Sequence, residues 1–544
     1  MRNSKKLLAL TLAGVMTCGF AACGTKTQKI ANDEKTIEIR FYNAGYGSEW
    51  LKKWIANFEA ATDYDVEYRE IGDSDSVLTE VRSGTTTVDI YMVGEVWDRY
   101  IALGSKAVAG YDYCLEPLDE IYNYTPAGES QTIGNKMWKA YKDYYTYEVE
   151  ENGEYVEHQY AMPWSSGILG LFYNKTVFTE AGLTSEPRTT DELIEYCETI
   201  RANTDSDPFI YSQSGYMEYL FHTWWTQYET LQGRENFFNG VTTEGALADA
   251  TKSLEIFDQQ GIYSSLYAMQ QCIDPNNGFT NDLVASYDFM TAQARFIKGE
   301  AAIIPNGDWI ENEMKMAGSH INTEIMPMQN PLNSAISDKL SYWDKDVNYM
   351  TAIENGMSAD EINSYDEKLR ALVDYVDGVT TEKPEWATDA DVATVTEARK
   401  VVYTIGPAVS SVIPVYSNAK VAAKEFLKYT GSQEAIEIYQ QNTNGSLMPY
   451  TYDATAVAGY NDLSNFAKKK IDMMQDAEWA TFAANKPLAY LGGVAPVRYT
   501  STFEILLGSK DNKVRKTAKQ LVEQTKSYWN TTRMSKALTD AGLI

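Results

Sequence analysis

Asn306, Asp308 and Trp309 crowd around Gly307 in "AAIIPNGDWIEN", so that an amide, a carboxylate and an indole follow directly on an apolar run. Amides and carboxylates make planar, paired hydrogen bonds, and an indole offers a flat apolar face. Together they suit a ligand whose C–H faces are ringed by hydroxyls, as a sugar's are, held without a covalent step. Asn306 and Asp308 also fit a plain turn, and Trp309 a plain core position. Covalent chemistry finds little support in the pattern. His158, His222 and His320 form no HExxH pair, and there is no Walker loop, GxGxxG or GxSxG. Asp344-x-Asp346-x-Asn348 starts like a calcium loop, but Tyr349 replaces its glycine and Asn355 its bidentate glutamate. No metal or other cofactor is expected. The 76 Asp and Glu residues leave a glycosidase's carboxylate pair open on residue type alone.

These residues need elements to position them. "TIEIRFY" alternates as a strand, the chain turns at Gly45 and Gly47, and Leu51, Trp54, Ile55 and Phe58 then form one helical stripe opened by Ser48. "DVEYREI" returns as a strand, giving a β-α-β unit and a parallel sheet. "TVDIYMVG" adds a buried strand. Ligands of open parallel sheets sit beyond the carboxyl ends of the strands, which is where this reading puts Asn43, Tyr46, Glu95 and Trp97. Thr189 to Glu192 has capping-box spacing before another helix, and the chain enters a new domain near Pro163. Trp164 follows that proline, where it can stack at the base of a cleft or serve a hinge. Trp224, Trp225 and Cys197 keep helical spacing with apolar neighbours and read as core.

At 544 residues the chain can build two domains, and its formal charge of -29 disfavours nucleic acid and anionic lipid as partners. Arg2, Lys5 and Lys6 precede the apolar run "LLALTLAGVM", the order of an export signal over residues 1–22. Phe20-Ala21-Ala22-Cys23 resembles a bacterial lipobox, with Phe20 where that pattern has Leu. Acylation of Cys23 would leave residues 23–35 as a lipidated linker, the body tethered to the outer face of the cell membrane without a spanning helix. A Gram-positive source fits such a tether. The remaining cysteines, Cys114, Cys197 and Cys272, are too scattered for a disulfide framework.

Three blocks carry a resemblance. "MPWSSGILGLFYNKTVFTEAGLTSEPRTTDELIEYC", "FIKGEAAIIPNGDWIENEM" and "SNAKVAAKEFLKYTGSQEAIEIYQQNTNGSLMPY" occur in the order found in extracellular solute-binding proteins of ABC transporters of the maltose-binding type. The resemblance implies a two-lobe α/β fold, each lobe a mostly parallel sheet flanked by helices. It implies a first lobe of residues 36–165 plus 411–465 and a second of 166–410 plus 466–544, with hinges near Pro163, Gly406 to Pro414 and the 460s. Residues 331–399 depart from the family as a helical insertion, where Leu369, Leu372, Val373 and Val376 keep helical spacing. It further implies a ligand role for Trp309, and for Gln213 and Tyr216 in the second lobe. Tyr403 and Tyr499 complete the candidates.

The expectation is therefore a monomeric substrate-binding lipoprotein, not an enzyme. It would capture an extracellular carbohydrate, an oligosaccharide, between its lobes and deliver it to ABC permease subunits. A surface glycan-binding protein without transport and a glycosidase stand as alternatives.

Overall fold

The computed structural model describes residues 34–72, 77–84, 87–94, 114–151, 153–213, 215–241, 250–316, 323–404, 409–481, 488 and 500–540. Cys23 and the leader lie outside them. The strands are β1 (Thr36–Tyr42), β2 (Asp65–Ile71), β3 (Ile90–Gly94), β4 (Thr146–Glu151), β5 (Glu154–Gln159), β6 (Met162–Pro163), β7 (Leu169–Asn174), β8 (Asp207–Phe209), β9 (Ala301–Gly307), β10 (Ile325–Pro327), β11 (Val401–Thr404), β12 (Val409–Val412) and β13 (Glu478–Thr481). The helices that bear on the site are α1 (Glu49–Ala61), α2 (Lys139–Tyr145), α3 (Thr190–Asn203), α4 (Met217–Phe238), α5 (Ile310–Met316), α6 (Ala359–Val376), α7 (Gln433–Asn442), α8 (Asn465–Gln475) and α9 (Thr500–Gly508).

Two sheets make the two lobes. The first has the order β2-β1-β3-β12-β6, and the second β13-β11-β7-β9-β8 with β10 on β7. β1 is parallel to β2 and β3, as the β-α-β pattern requires, while β12 enters antiparallel between β3 and β6. Alternation in β1 buries Ile37, Ile39 and Phe41 completely. β7 and β9 are buried on both faces and read accordingly as continuous apolar runs. The chain crosses between the lobes at 164–168, again between β11 and β12, and again after Tyr450 on the way to α8.

The expected stripe of α1 is buried, with Trp50 beside it. Its cap differs from expectation. Ser48 stands at the N-cap with φ -126° and ψ 2°, outside the extended conformation that aims a side-chain oxygen at the first turn, and makes no cap hydrogen bond. Trp50 Nε1 donates to Gly47 O at 2.9 Å instead. The capping box of α3 is half formed: Glu192 N donates to Thr189 Oγ1, while the Glu192 carboxylate accepts from Arg188 N at 2.6 Å and Nε at 2.9 Å. A guanidinium neighbour outcompetes the backbone amide of the cap.

Residues 331–399 are helical and own a small core, in which Leu369, Leu372 and Val373 pack with Leu332, Ile336 and Val395. α6 is fastened to α3 by charge. Arg370 Nη2 and Nη1 donate to Glu195 Oε1 and Oε2 at 2.6 and 2.8 Å, Arg370 Nε pairs with Asp366, and Thr189 Oγ1 donates to Asp366 Oδ2 at 2.9 Å. Burial and the nearby Asp191 push the Asp366 carboxyl above the usual range. Cys114, Cys197 and Cys272 are free and buried, and Trp224 and Trp225 are core, as expected.

Glu504 of α9 is nearly fully buried; Met217 N donates to its Oε1 at 3.2 Å, and Oε2 has no partner. Burial first, and Glu218 second, push its carboxyl up to about 8. An acid held protonated in the fold contributes stability below its unfolded value near 4.5, and that contribution is lost as pH rises to about 8. Glu504→Gln is expected to flatten the fall in Tm between pH 5 and 8.5 and to stabilise the protein by about 2 kcal/mol at the upper end. Parallel melting profiles for the two proteins would rule this out.

Candidate ligand-binding cleft

The carboxyl end of β1 opens into a tight loop. Asn43 Oδ1 accepts from Gly47 N at 2.7 Å and Asn43 Nδ2 donates to Glu70 Oε1 at 3.0 Å, so this candidate's side chain holds the loop. Ala44 and Gly45 take φ of 50° and 85°. A Cβ on Gly45 would lie 3.3 Å from Trp309 Cβ and 3.4 Å from Glu313, so the first lobe's loop rests against the second lobe here.

Opposite it, β9 ends at Gly307, over which the Trp309 indole folds so closely that any side chain on Gly307 would overlap the ring. Trp309 is partly exposed. Tyr216 meets it edge to face, with centroids 6.4 Å apart, and stacks on Tyr219 at 5.2 Å. Tyr216 holds φ 87°, its N–H donating to Glu218 Oε2 at 2.7 Å. A short aromatic ledge results. Gln293 Nε2 donates to Glu313 Oε2 at 3.1 Å, and burial raises the Glu313 carboxyl.

Between ledge and loop lies a buried polar knot. Tyr46 packs against Trp164 and Tyr439, each at 6.2 Å, and Tyr439 OH donates to Ser165 Oγ at 2.7 Å. Asp308 is 1 % exposed, with Oδ2 at 3.3 Å from Lys470 Nζ, an ion pair lacking hydrogen-bond geometry. Burial outweighs Lys470 and raises the Asp308 carboxyl; burial and Asp308 together lift the Tyr46 phenol well above its ordinary value. Trp164 Nε1, Asn306 Nδ2 and Gln293 Oε1 are also buried without a hydrogen-bond partner. Buried polar atoms are nearly always paired, so this gathering is unspent bonding capacity.

The lobes touch along this side. Asn312 Nδ2 of α5 donates to Thr443 O at 3.1 Å, and Asn444 Nδ2 bonds Glu311. Gly167 sits in the crossover, where a methyl group would overlap Asp308 Oδ1 and come within 3.1 Å of the Tyr46 hydroxyl. Gly167→Ala is expected to oppose this closed arrangement and weaken ligand binding about tenfold while Tm holds within about 2 °C. Calorimetric titration with the best ligand checks it, and an unchanged Kd would show that the closed approach is not needed.

The structure thus brings Tyr46, Trp164, Asn306, Asp308, Trp309 and Tyr216 to one region. Trp164 is deeper than a surface stacking residue, lying on Trp50 at 5.2 Å. Gln213 is exposed on the bend before α4, its N–H donating to Tyr287 O. Tyr403 stands behind the ledge, 1 % exposed and stacked on His222 at 4.6 Å. Glu95, Trp97 and Tyr499 lie outside the described residues. Tyr219, Tyr439, Gln293, Glu313 and Lys470 were not foreseen. Lys470 ends a run of three lysines, which reads as a solvated face, and nothing local marks it as the partner of a buried carboxylate.

The pattern of bacterial extracellular solute-binding proteins matches residues 44–437, most of the chain. The chain belongs to that family. Among its relatives, the multiple sugar-binding protein of Streptococcus mutans is 25% identical over 319 residues, 57% of this chain and 66% of that protein. The match therefore spans just under two thirds of the relative's length. In three dimensions the family fold extends over nearly the whole chain. A chitin oligosaccharide binding protein matches with TM-score 0.55 and 16% identity, over 92% of this chain and 99% of that one. The Thermus thermophilus maltotriose binding protein, bound with maltotriose, matches with TM-score 0.53 and 16% identity, over 93% and 100%. No helix among the described residues is long and apolar enough to cross a membrane.

Proposed function

We propose that this solute-binding protein captures an extracellular oligosaccharide between its lobes and delivers it to the permease of an ABC transporter. The observation that carries the reading is the Trp309–Tyr216 ledge set beside the buried polar atoms of Trp164 and Asn306 that lack hydrogen-bond partners and the buried Asp308–Lys470 ion pair. A sugar ring lays its C–H face on Trp309, and its hydroxyls take up the free hydrogen-bonding capacity as Tyr46 and the Gly45 loop close from the first lobe. Binding drives closure, no bond in the ligand is broken, and the protein acts as a monomer. The sugar-binding relative supports this choice of ligand. Acylated Cys23 tethers the chain to the outer face of the cell membrane, keeping it near its permease.

Thermal-shift measurements on residues 24–544 against neutral, amino and acidic oligosaccharides and peptides test the reading, with each bound ligand recovered and checked for integrity. A saturable rise in Tm with an intact oligosaccharide is expected. Stabilisation by peptides alone, or breakdown of the bound glycan with time, would overturn it.

A further inference from the structure

A cavity of about 700 Å³ lies away from the cleft, at the edge of the second sheet formed by β13. None of the described candidate residues lines it. Trp138 and Asp143 of α2 and Tyr450 form its first-lobe wall; Arg234 and Phe238 of α4 and Trp479 of β13 form the other. The crossover at 164–168 stands between the two places. Gly167 faces Asp308 and Tyr46 in the cleft, whereas its neighbour Ser166 donates from Oγ to Leu447 O at 2.8 Å, and Leu447 lines the cavity.

Arg234 is the unusual group. It is 6 % exposed, and its Nε and Nη2 have no hydrogen-bond partner. No described carboxylate forms an ion pair with it. Its guanidinium instead meets ring faces, at 4.9 Å from Phe238, 5.7 Å from Trp225 and 5.8 Å from Tyr403. Burial pulls its pKa down to about 10. Glu235 offsets the buried charge only through space, and the planar guanidinium fork, lacking a direct ion pair, is shaped for a carboxylate. Trp138 and Trp479 stack on each other at 5.0 Å with planes 17° apart, closing the same cavity where its two walls meet. Asp143, Glu235 and Glu478 also line it, and Lys139 is taken up by Asp143. Those acids disfavour a dianion such as a phosphate ester, but one carboxylate can be matched to Arg234. The volume falls within the usual range for small-ligand pockets.

We propose that this cavity is a second ligand site, which binds a sugar acid through one carboxylate held by Arg234, its pyranose ring lodged beside the Trp138–Trp479 pair. It stands apart from the cleft and does not depend on what the cleft binds.

The test is calorimetric titration of the mature full chain with glucuronate and galacturonate, beside their methyl esters. The expected result is saturable binding of at least one acid, weakened tenfold or more in its ester and in Arg234→Gln, and retained in Trp309→Ala. The ester comparison stands on the natural protein even if Arg234→Gln does not fold. Absence of binding by both acids, equal binding of acid and ester, or binding lost in Trp309→Ala but kept in Arg234→Gln would overturn the proposal.

Discussion

Trp309→Ala is expected to weaken oligosaccharide binding 30- to 100-fold, about 2–3 kcal/mol, with a change in Tm of no more than about 2 °C. The indole is the partly exposed member of the ledge, so truncation removes stacking surface without opening a deep core cavity. It also uncovers Gly307, whose backbone the ring now shields. Trp309→Phe should recover part of the loss, because a smaller flat face remains. Titration of the three proteins with one glycan decides the matter. Equal affinity of Trp309→Ala and the natural protein would remove the ledge from the site and move the sugar elsewhere in the cleft.

Arg370→Ala should release α6 from α3 of the second lobe. The guanidinium is the shared partner of Asp366 on its own helix and Glu195 on α3, and the Asp366 side chain is 1 % exposed. Removing one member of a buried ionic cluster costs about 3–5 kcal/mol, because the charges left behind have lost both water and partner. Hydrogen exchange across residues 359–376 should accelerate about 100- to 1000-fold, while β1 and β9 keep their protection. Arg370→Ala combined with Asp366→Leu should restore much of that protection, since the stranded acid is then gone. Uniform acceleration over the whole chain would mean that α6 and the lobe unfold together.

Local pattern made the fold largely legible and the site partly so. The alternation of β1, the stripe of α1 and the carboxyl-end rule led to Tyr46, and the Gly-x-Trp motif to Trp309. What escaped depends on partners distant in sequence. Trp164 reads in the sequence as a residue at the base of a cleft or in a hinge, and its burial comes from Phe41, Trp50 and Tyr439, which converge around that part of the core from other elements. Lys470 meets Asp308 only because α8 docks after a third crossover. Ser48 lost its cap because the loop before it is wound tightly by Asn43 and two glycines, leaving the wrong backbone angles. The cavity was invisible for the same reason: Trp138 and Trp479, which stack where its two walls meet, are distant in sequence.

β12 carries a consequence for biosynthesis. It pairs Val409 to Val412 between β3 and β6, in the middle of a sheet whose other strands all precede residue 164. The amino-terminal lobe therefore cannot finish while most of the polypeptide is still on the ribosome. Until residue 412 emerges, β3 and β6 present bare edges, and the pairings that close them span a great sequence distance, which makes folding slow. If the chain is exported unfolded, as its leader pattern would imply, such a delay would be useful. It would keep the amino-terminal half incompletely folded until residue 412 is available to pair.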